Sequence, residues 1–174
     1  MIRLATVADI DAIAAIYERI HDAEACGALT TGWLRGIYPT DATARLALSA
    51  GELFVLEDAG RIVAAARINR EQPSAYAEVD WKYKAPAGGV MVLHTLTVDP
   101  RCACRGYGRR FLAFYEDYAL RHGCPVLRID TNARNAVARA MYARHGYIES
   151  GIVPTVFNGI PGVNLVCMEK RLSA

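Results

Sequence analysis

The chain has 174 residues, of which 53% are hydrophobic and 22% charged, and its formal net charge is +2. This length and balance predict one folded domain over residues 1–174 with a substantial core, and they exclude a disordered chain. So small a net charge argues against a nucleic-acid partner held by bulk attraction, and no apolar run has the length of a membrane span.

The N-terminal half of the chain predicts a strand, two helices and a β-hairpin. Its opening residues carry early charges and no apolar secretory core, so we expect a cytoplasmic protein without a membrane partner. Thr6 and Thr40 are suited to cap the two helices. The predicted elements are a strand over 2–5, a helix whose apolar stripe runs through Ile20, a helix ending at Ala50, and strands over 53–57 and 61–69.

The C-terminal half predicts strands that alternate with helices after a long connection, 70–89. The predicted elements are a strand over 90–98, a helix over 108–122, a strand over 126–130, a helix over about 135–145, and strands over 147–153 and 163–170 joined by a Gly/Pro loop. This order implies an α/β fold class, with a mixed sheet and helices on both of its faces. The five cysteines have no metal-ligand spacing, so we expect no metal site.

Residues 90–110, VMVLHTLTVDPRCACRGYGRR, indicate a buried strand that runs into a basic, glycine-bearing loop and then into a helix. Glycines let backbone N–H groups approach a ligand closely, while arginines and a helix N-terminus favour anions. The pattern predicts a diphosphate site, and it is equally typical of a structural strand-to-helix turn. The residues predicted to form the site are Cys104, Arg105, Gly106, Tyr107, Gly108 and Arg109.

A second pattern, in residues 125–151, indicates a strand, a polar corner, a helix, a glycine stop and a strand. The residues that fit N-x-x-A-x-x-x-Y-x-x-x-G-F/Y are Asn135, Ala138, Tyr142, Gly146 and Tyr147. Together the two patterns resemble the GCN5-related N-acetyltransferase (GNAT) superfamily, whose loop has the form R/Q-x-x-G-x-G/A. Gly106 and Gly108 fit that loop, whereas the Arg/Gln place holds Ala103 and the usual first glycine is Cys104.

The resemblance implies the acyl-CoA N-acyltransferase fold, with a mixed, mostly antiparallel sheet of about seven strands. It also implies an enzyme that uses acetyl-CoA to acetylate a primary amine of a small molecule or peptide. Two alternatives stay open, namely a noncatalytic domain that binds acyl-CoA and regulates a partner, and a nucleotide-binding module. The identity of the acceptor is not legible in the sequence, and a homodimer is left open.

In the superfamily, the strand before the loop splays from its neighbour, and its main chain pairs with the pantetheine arm of the cofactor. By position these residues are Leu96, Thr97 and Val98 here, and the Leu96 N–H would face the thioester carbonyl. Asn135 would bond the arm from the other side, cap its helix, or do both. Tyr142 matches the superfamily's general acid, although a tyrosine on an apolar helix face also packs in a core.

His94 is the predicted general base for the attacking amine. Strand alternation places residues 92, 94, 96 and 98 on one face, and the free pKa of histidine lies near neutrality. Some superfamily members, including the arylalkylamine acetyltransferases, carry a histidine at this strand position. A structural histidine and a relay through water are alternatives, and Glu149, Glu78 and Asp80 are weaker candidates.

Three segments are expected to surround the acceptor, since aromatic rings and carboxylates suit a cationic amine. They are residues 32–38, the connection 70–89 and residues 157–162, which correspond to regions that vary acceptor choice across the superfamily. The connection is equally typical of a surface excursion held by aromatic anchors. The predicted acceptor-binding residues are Trp33, Tyr38, Tyr76, Trp81, Phe157 and Asn158.

Overall fold

Strands and helices follow one another in the order that the sequence predicts. This computed structural model describes residues 1–86 and 88–173, so Ala87 of the predicted 70–89 connection and Ala174 lie outside the described residues. The strands are β1 (Ile2–Leu4), β2 (Leu53–Asp58), β3 (Arg61–Asn69), β4 (Val90–Val98), β5 (Val126–Asn132), β6 (Ile148–Phe157) and β7 (Ile160–Arg171). The α-helices are α1 (Ile10–Ala25), α2 (Asp41–Ser49), α3 (Tyr107–Arg121) and α4 (Ala136–Arg144).

These strands form one sheet in the order β1-β2-β3-β4-β5-β7-β6. Neighbouring strands are antiparallel, except that β4 and β5 run parallel. A parallel pair needs a long crossover connection, and α3 lies in it. The predicted mixed, mostly antiparallel sheet of about seven strands is therefore confirmed.

Helices cover both faces of the sheet, because successive residues of a strand point to opposite sides. Ala65 of β3 packs with apolar residues of α1 and α2. Its neighbours Ala64 and Ala66 belong instead to the core that contains Phe111 of α3 and Tyr142 of α4. Within residues 1–86 and 88–173, no helix is long and apolar enough to cross a membrane.

An ion pair fixes the end of β4 against α1. Asp99 is buried, and its two carboxylate oxygens accept hydrogen bonds from Arg19 Nε and Nη2, each at 2.9 Å. Its Oδ1 also accepts a bond of 3.0 Å from the Arg101 N–H, in the 3₁₀ turn Pro100–Cys102. The chain therefore enters the predicted diphosphate loop from a point that is held by a distant helix.

β4 contains a bulge centred on Thr95, whose φ of 52° lies in the left-handed region. In the pairing of β4 with β3, Thr97 lies opposite Ala65 and His94 lies opposite Arg67. β4 thus has one residue more than β3 between these two pairs, which is the definition of a bulge.

The bulge changes which β4 side chains share a face. Val92 packs on the side of the 70–86 connection, and His94 follows it there by alternation. Leu96 and Val98 pack on the opposite side, in the core that contains α3. The prediction that residues 92, 94, 96 and 98 share one face is therefore wrong, because the extra residue at Thr95 inverts the alternation beyond it.

β6 and β7 are longer than predicted, and they meet in a tight hairpin. Asn158 and Gly159 form its two-residue turn, with φ values of 48° and 83°, and the strands pair up to Phe157. An Asn-Gly pair favours such positive angles. The predicted Gly/Pro loop between 153 and 163 is therefore wrong, because the hairpin places Phe157 at the end of β6 and Asn158 in the turn.

Candidate active site

Two adjoining cavities lie where β4 and β5 end. The larger has a volume of about 570 Å³, and the narrower has a volume of about 260 Å³. The residues common to both linings are Tyr38, Thr95, Asp130, Phe157 and Leu165. This shared region is termed the junction, because a group placed there can be reached from both cavities.

The narrower cavity opens where β4 and β5 separate. Their parallel pairing ends at Leu93 and Ile129, so the main chain beyond Leu93 has no β5 partner in the described register. The residues predicted to contact the pantetheine arm all line this gap, namely Leu96, Thr97, Val98, Asn135 and Tyr142. The strand splay expected from the resemblance is therefore present, with the bulge adjoining it.

Asn135 caps α4 and also lines the narrower cavity. Its Oδ1 accepts a hydrogen bond of 3.1 Å from the Ala138 N–H, which caps α4. Its Nδ2 makes no hydrogen bond within the described part of the chain, and the residue lines the narrower cavity. The cap therefore orients the amide so that its donor side is free for a ligand.

The predicted diphosphate loop presents a row of free backbone donors. None of the N–H groups of residues 104–109 donates a hydrogen bond within residues 1–86 and 88–173. Gly106 precedes α3 with a left-handed φ of 77°, a conformation that glycine adopts without a steric cost. Arg105 and Arg109 are exposed beside it, and Gly108 lines the narrower cavity. Unpaired donors at a helix start, with two cations nearby, suit a diphosphate.

The Tyr107 side chain has a structural role in the same loop. It is buried, and its hydroxyl donates a hydrogen bond of 2.6 Å to Asp58 Oδ2 in the β2–β3 hairpin. Its ring also lies in the core on the α3 side of the sheet. Only the backbone N–H of Tyr107 is therefore available to a ligand.

Cys104 has a left-handed φ of 62° at the place where the superfamily loop usually has glycine. We expect Cys104→Gly to raise the free energy of unfolding by roughly 0.5–1 kcal/mol, because relief of the strained backbone outweighs the greater freedom of the unfolded chain. Urea denaturation measures the change. Cys104→Ala is the control, since it keeps the Cβ and should give no gain, and an equal gain in both variants would contradict the backbone explanation.

Tyr142 lines the narrower cavity. It is buried, and its hydroxyl makes no hydrogen bond within the described chain. Burial, with the nearby carboxylate of Asp130, raises the pKa of Tyr142 well above its usual range. The phenol is therefore protonated at neutral pH, as a general acid must be before it acts.

A hydrogen bond to Asn69, at the end of β3, fixes the His94 side chain, and Glu52 in turn orients the Asn69 amide. Asn69 Nδ2 donates to Glu52 Oε2 at 2.8 Å, so Asn69 Oδ1 faces His94 Nε2 at 2.9 Å. An amide oxygen only accepts, so Nε2 carries the proton and Nδ1 carries the lone pair. Burial, with the nearby Arg67 charge, lowers the pKa of His94 to about 4. The side chain is thus neutral at pH 7, but its affinity for a proton is far below that of a free histidine.

Four of the six predicted acceptor-binding residues line the cavities. Tyr38 and Phe157 lie at the junction, where their rings pack edge to face with centroids 5.6 Å apart. Trp33 packs edge-on against Tyr38 at 5.8 Å and lines the narrower cavity. Asn158 lines the larger cavity, as do His94 and the first residues of the 70–86 connection.

Tyr76 and Trp81 lie elsewhere, as anchors in a core between the connection and the sheet. Both are buried, with ring centroids 5.0 Å apart, and Arg128 lies 3.9 Å from the Trp81 ring. Neither lines a cavity, because the connection turns its aromatic side chains inward to cover apolar strand residues. The structure therefore places both residues as buried anchors, and neither side chain faces the cavities in which an acceptor was predicted to bind.

The three weaker candidates for the base also lie outside both cavities. Glu78 is exposed. Asp80 is exposed and pairs with Lys84 at 2.9 Å, while Glu149 pairs with Arg139 at 2.8 Å.

Sequence reasoning missed Asp130, which lines the junction. It lies near the carboxyl end of β5, beside the parallel strand β4. Polar residues in that position often contact ligands in sheets with parallel strands, and this signal could have identified it. Arg67 and Glu71 in the larger cavity were missed as well, because the register of β3 had to be known before they could be placed there.

Comparison with known proteins agrees with this geometry. The chain belongs to the acetyltransferase (GNAT) family, whose pattern matches residues 14–147. A curated relative, the uncharacterized N-acetyltransferase YhfO of Bacillus subtilis, is 35% identical over 60 residues, which are 34% of this chain and 40% of that protein. The match thus spans about two fifths of the relative's length.

Solved structures share the fold over the whole chain. An acetyltransferase of the GNAT family from Streptococcus agalactiae has a TM-score of 0.84 and 21% identity, with coverage of 100% of this chain and 96% of that chain. The Salmonella typhimurium protein yncA, solved with its cofactor acetyl-CoA, has a TM-score of 0.68 and 23% identity, with coverage of 100% and 94%. Because both structures are less than 25% identical to this chain, their similarity supports the fold alone.

Proposed function

We propose that the protein is an acetyl-CoA-dependent N-acetyltransferase that acetylates a primary amine of a small molecule or peptide. The observation that carries this proposal is the junction, where a cavity lined by the splayed strands meets a second, larger cavity. One cavity suits the donor, the other suits the acceptor, and the reacting groups would meet between them.

The donor cavity fits the cofactor by its chemistry. The free N–H groups of residues 104–109, with Arg105 and Arg109, would bind the diphosphate. The main chain of residues 96–98, on the side that has no β5 partner, and the Nδ2 group of Asn135 would bind the amides of the pantetheine arm. Bound acetyl-CoA supplies an acetyl group activated as a thioester.

The chain's own residues then have separate tasks. The Leu96 N–H, beside the bulge, would donate to the acetyl carbonyl oxygen as negative charge builds on it. Tyr142 would give its proton to the departing sulfur, since its raised pKa keeps the phenol protonated until then. The aromatic wall of Tyr38 and Phe157 would exclude water from the junction.

The larger cavity suits a cationic acceptor. The arginine in its described lining, Arg67, is already compensated, because Nε donates to Glu52 at 2.7 Å and Nη2 donates to Glu71 at 2.8 Å. Asp130 adds a further carboxyl group, and Tyr17, Tyr38 and Phe157 provide aromatic surface. Carboxylates and aromatic faces favour an ammonium group over an anion.

The proposed function is tested with the purified full chain. Acetyl-CoA should raise its melting temperature, and a panel of primary amines should include acceptors that release the free thiol of coenzyme A. Stabilisation by acetyl-CoA without turnover of any amine would favour the noncatalytic acyl-CoA-binding alternative. Stabilisation by ATP or NAD in place of acetyl-CoA would favour a nucleotide-binding module.

A further inference from the structure

Asp130 occupies the junction between the donor and acceptor cavities. Its strand neighbour Ile129 packs in the core on the α3 side, so Asp130 points to the opposite side of the sheet. His94 points to that same side, from the neighbouring parallel strand. His94 lines only the larger cavity and Tyr142 only the narrower one, whereas Asp130 lines both. Asp130 is thus the one carboxyl group in the described linings that both cavities share.

Among the described residues, the carboxyl group of Asp130 has one hydrogen-bond partner and no counter-ion. Tyr76 Oη donates a hydrogen bond of 2.8 Å to Oδ2, and Oδ1 makes no hydrogen bond within residues 1–86 and 88–173. No Arg, Lys or His side chain of the described chain pairs with it. A carboxylate in this setting is costly, and a cationic ligand removes that cost.

The ionisable groups that face Asp130 are neutral at pH 7. They are Tyr38 from the loop before α2, Tyr76 from the connection, Tyr142 from α4 and Cys167 from β7. Burial raises the pKa of Tyr38 to about 12 and that of Cys167 to about 12. Arg67 lies in the larger cavity but is held by Glu52 and Glu71. Arg128, two residues earlier on the same side of β5, lies over the Trp81 ring and donates to Gln72 instead of to Asp130. Within the described residues, no cation therefore forms an ion pair with this carboxylate.

We propose that Asp130 is a catalytic residue that binds the ammonium group of the acceptor and takes its proton, and that Tyr76 is a positioning residue that orients the carboxyl group. In this step an N–H bond of the ammonium breaks, an O–H bond forms on Oδ1, and the nitrogen keeps the electron pair. The proton then leaves to water through the larger cavity. This inference rests on the proposed function and deepens it by naming the base.

Proton affinity also favours Asp130 over His94. Burial raises the pKa of Asp130 to about 6, although the Tyr76 hydrogen bond lowers it in part, whereas the pKa of His94 is lowered to about 4. A base is more effective when its pKa lies nearer the operating pH. His94 is better suited to hold the acceptor or a water molecule at the wall of the larger cavity.

Asp130→Asn, which keeps the shape and removes the charge, tests the proposal with two acceptors. The first is the best alkylamine from the panel, and the second is its fluorinated analogue, which is neutral at the assay pH. We expect kcat/KM to fall about 100-fold with the alkylamine and less than about tenfold with the analogue. The Kd of acetyl-CoA should be unchanged, and Asp80→Asn, an exposed aspartate remote from both cavities, is the matched control.

The pH profile provides a second test that does not depend on Asp130→Asn folding. In the wild type, kcat/KM should fall as the pH drops through about 6, where Asp130 becomes protonated. Tyr76→Phe removes the hydrogen bond that lowers the pKa of Asp130, so this acidic limb should move to higher pH. A limb near pH 4, or one that Tyr76→Phe leaves in place, would assign the base to another group.

The two proposals fail in different ways. If the wild type acetylates an amine while Asp130→Asn retains its rate with the alkylamine, the assignment of Asp130 is wrong and the proposed function stands. Equal losses with both acceptors would likewise overturn the assignment, because they would indicate lost geometry and not a lost proton acceptor. A wild type that acetylates no amine contradicts the proposed function itself.

Discussion

Tyr142→Phe is expected to lower kcat by about 100-fold with an alkylamine acceptor, while the Kd of acetyl-CoA changes less than about twofold. The substitution keeps the buried ring that packs in the core on the α3 side of the sheet and removes only the hydroxyl. That hydroxyl has no protein partner in the described chain, so its loss leaves no orphaned group behind. Single-turnover thiol release measures the rate, and calorimetric titration with acetyl-CoA measures the affinity.

Tyr147→Phe is the matched control for this experiment. Tyr147 is also buried, its ring centroid lies 6.0 Å from that of Tyr142, and its hydroxyl has no hydrogen-bond partner within the described residues. It lines neither cavity, so its removal should leave kcat unchanged. A similar loss in both variants would indicate disturbed packing, and an unchanged rate in Tyr142→Phe would remove Tyr142 as the acid.

The donor cavity was predictable from the sequence because its residues are set by local spacing. Asn135 and Tyr142 are about two helical turns apart, so a single helix presents both on one face. Gly106 ends the short link between β4 and α3, and Gly108 lies in the first turn of α3, so chain order alone brings both beside β4. Regular periodicity within one element, or across one tight connection, is what a sequence pattern reports most directly.

The acceptor side was harder to predict because its geometry comes from contacts that are distant in sequence. The bulge at Thr95 depends on the register between β3 and β4, and no residue in β4 signals it by type. Tyr76 and Trp81 are aromatic residues in a long connection, a pattern that fits a pocket wall and a buried anchor equally well. The lowered pKa of His94 follows from burial and from Arg67, neither of which alternation along one strand reveals.

Asp130 shows how the two kinds of information combine. Its position near the end of a predicted strand was available from the sequence, but its partner Tyr76 comes from the connection that the sequence could not place. The anchoring role of that connection and the environment of Asp130 are therefore one feature of the fold. The first residues of the connection line the larger cavity directly, whereas Tyr76 contributes through the carboxyl group that it orients and lines neither cavity.

Gly106→Val is expected to raise the Kd of acetyl-CoA by about 30-fold and to leave kcat at saturating cofactor within roughly threefold. The left-handed φ of 77° at Gly106 lets the following N–H groups of the loop and of α3 point to one place. A β-branched residue is strongly disfavoured at this angle, so the loop should relax and its donors should diverge. Calorimetric titration measures the change in Kd.

Gly123→Val is the control that separates a change in the diphosphate loop from a general loss of stability. Gly123 has a φ of 71°, an added Cβ would meet no heavy atom within 4 Å, and the residue follows the far end of α3. Val should therefore strain the backbone to a similar extent at either position, lowering the melting temperature in both variants while weakening cofactor binding only in Gly106→Val. If the two variants bound acetyl-CoA with equal Kd, binding of the diphosphate would not depend on the Gly106 conformation. Backbone strain alone would then account for every effect of Gly106→Val.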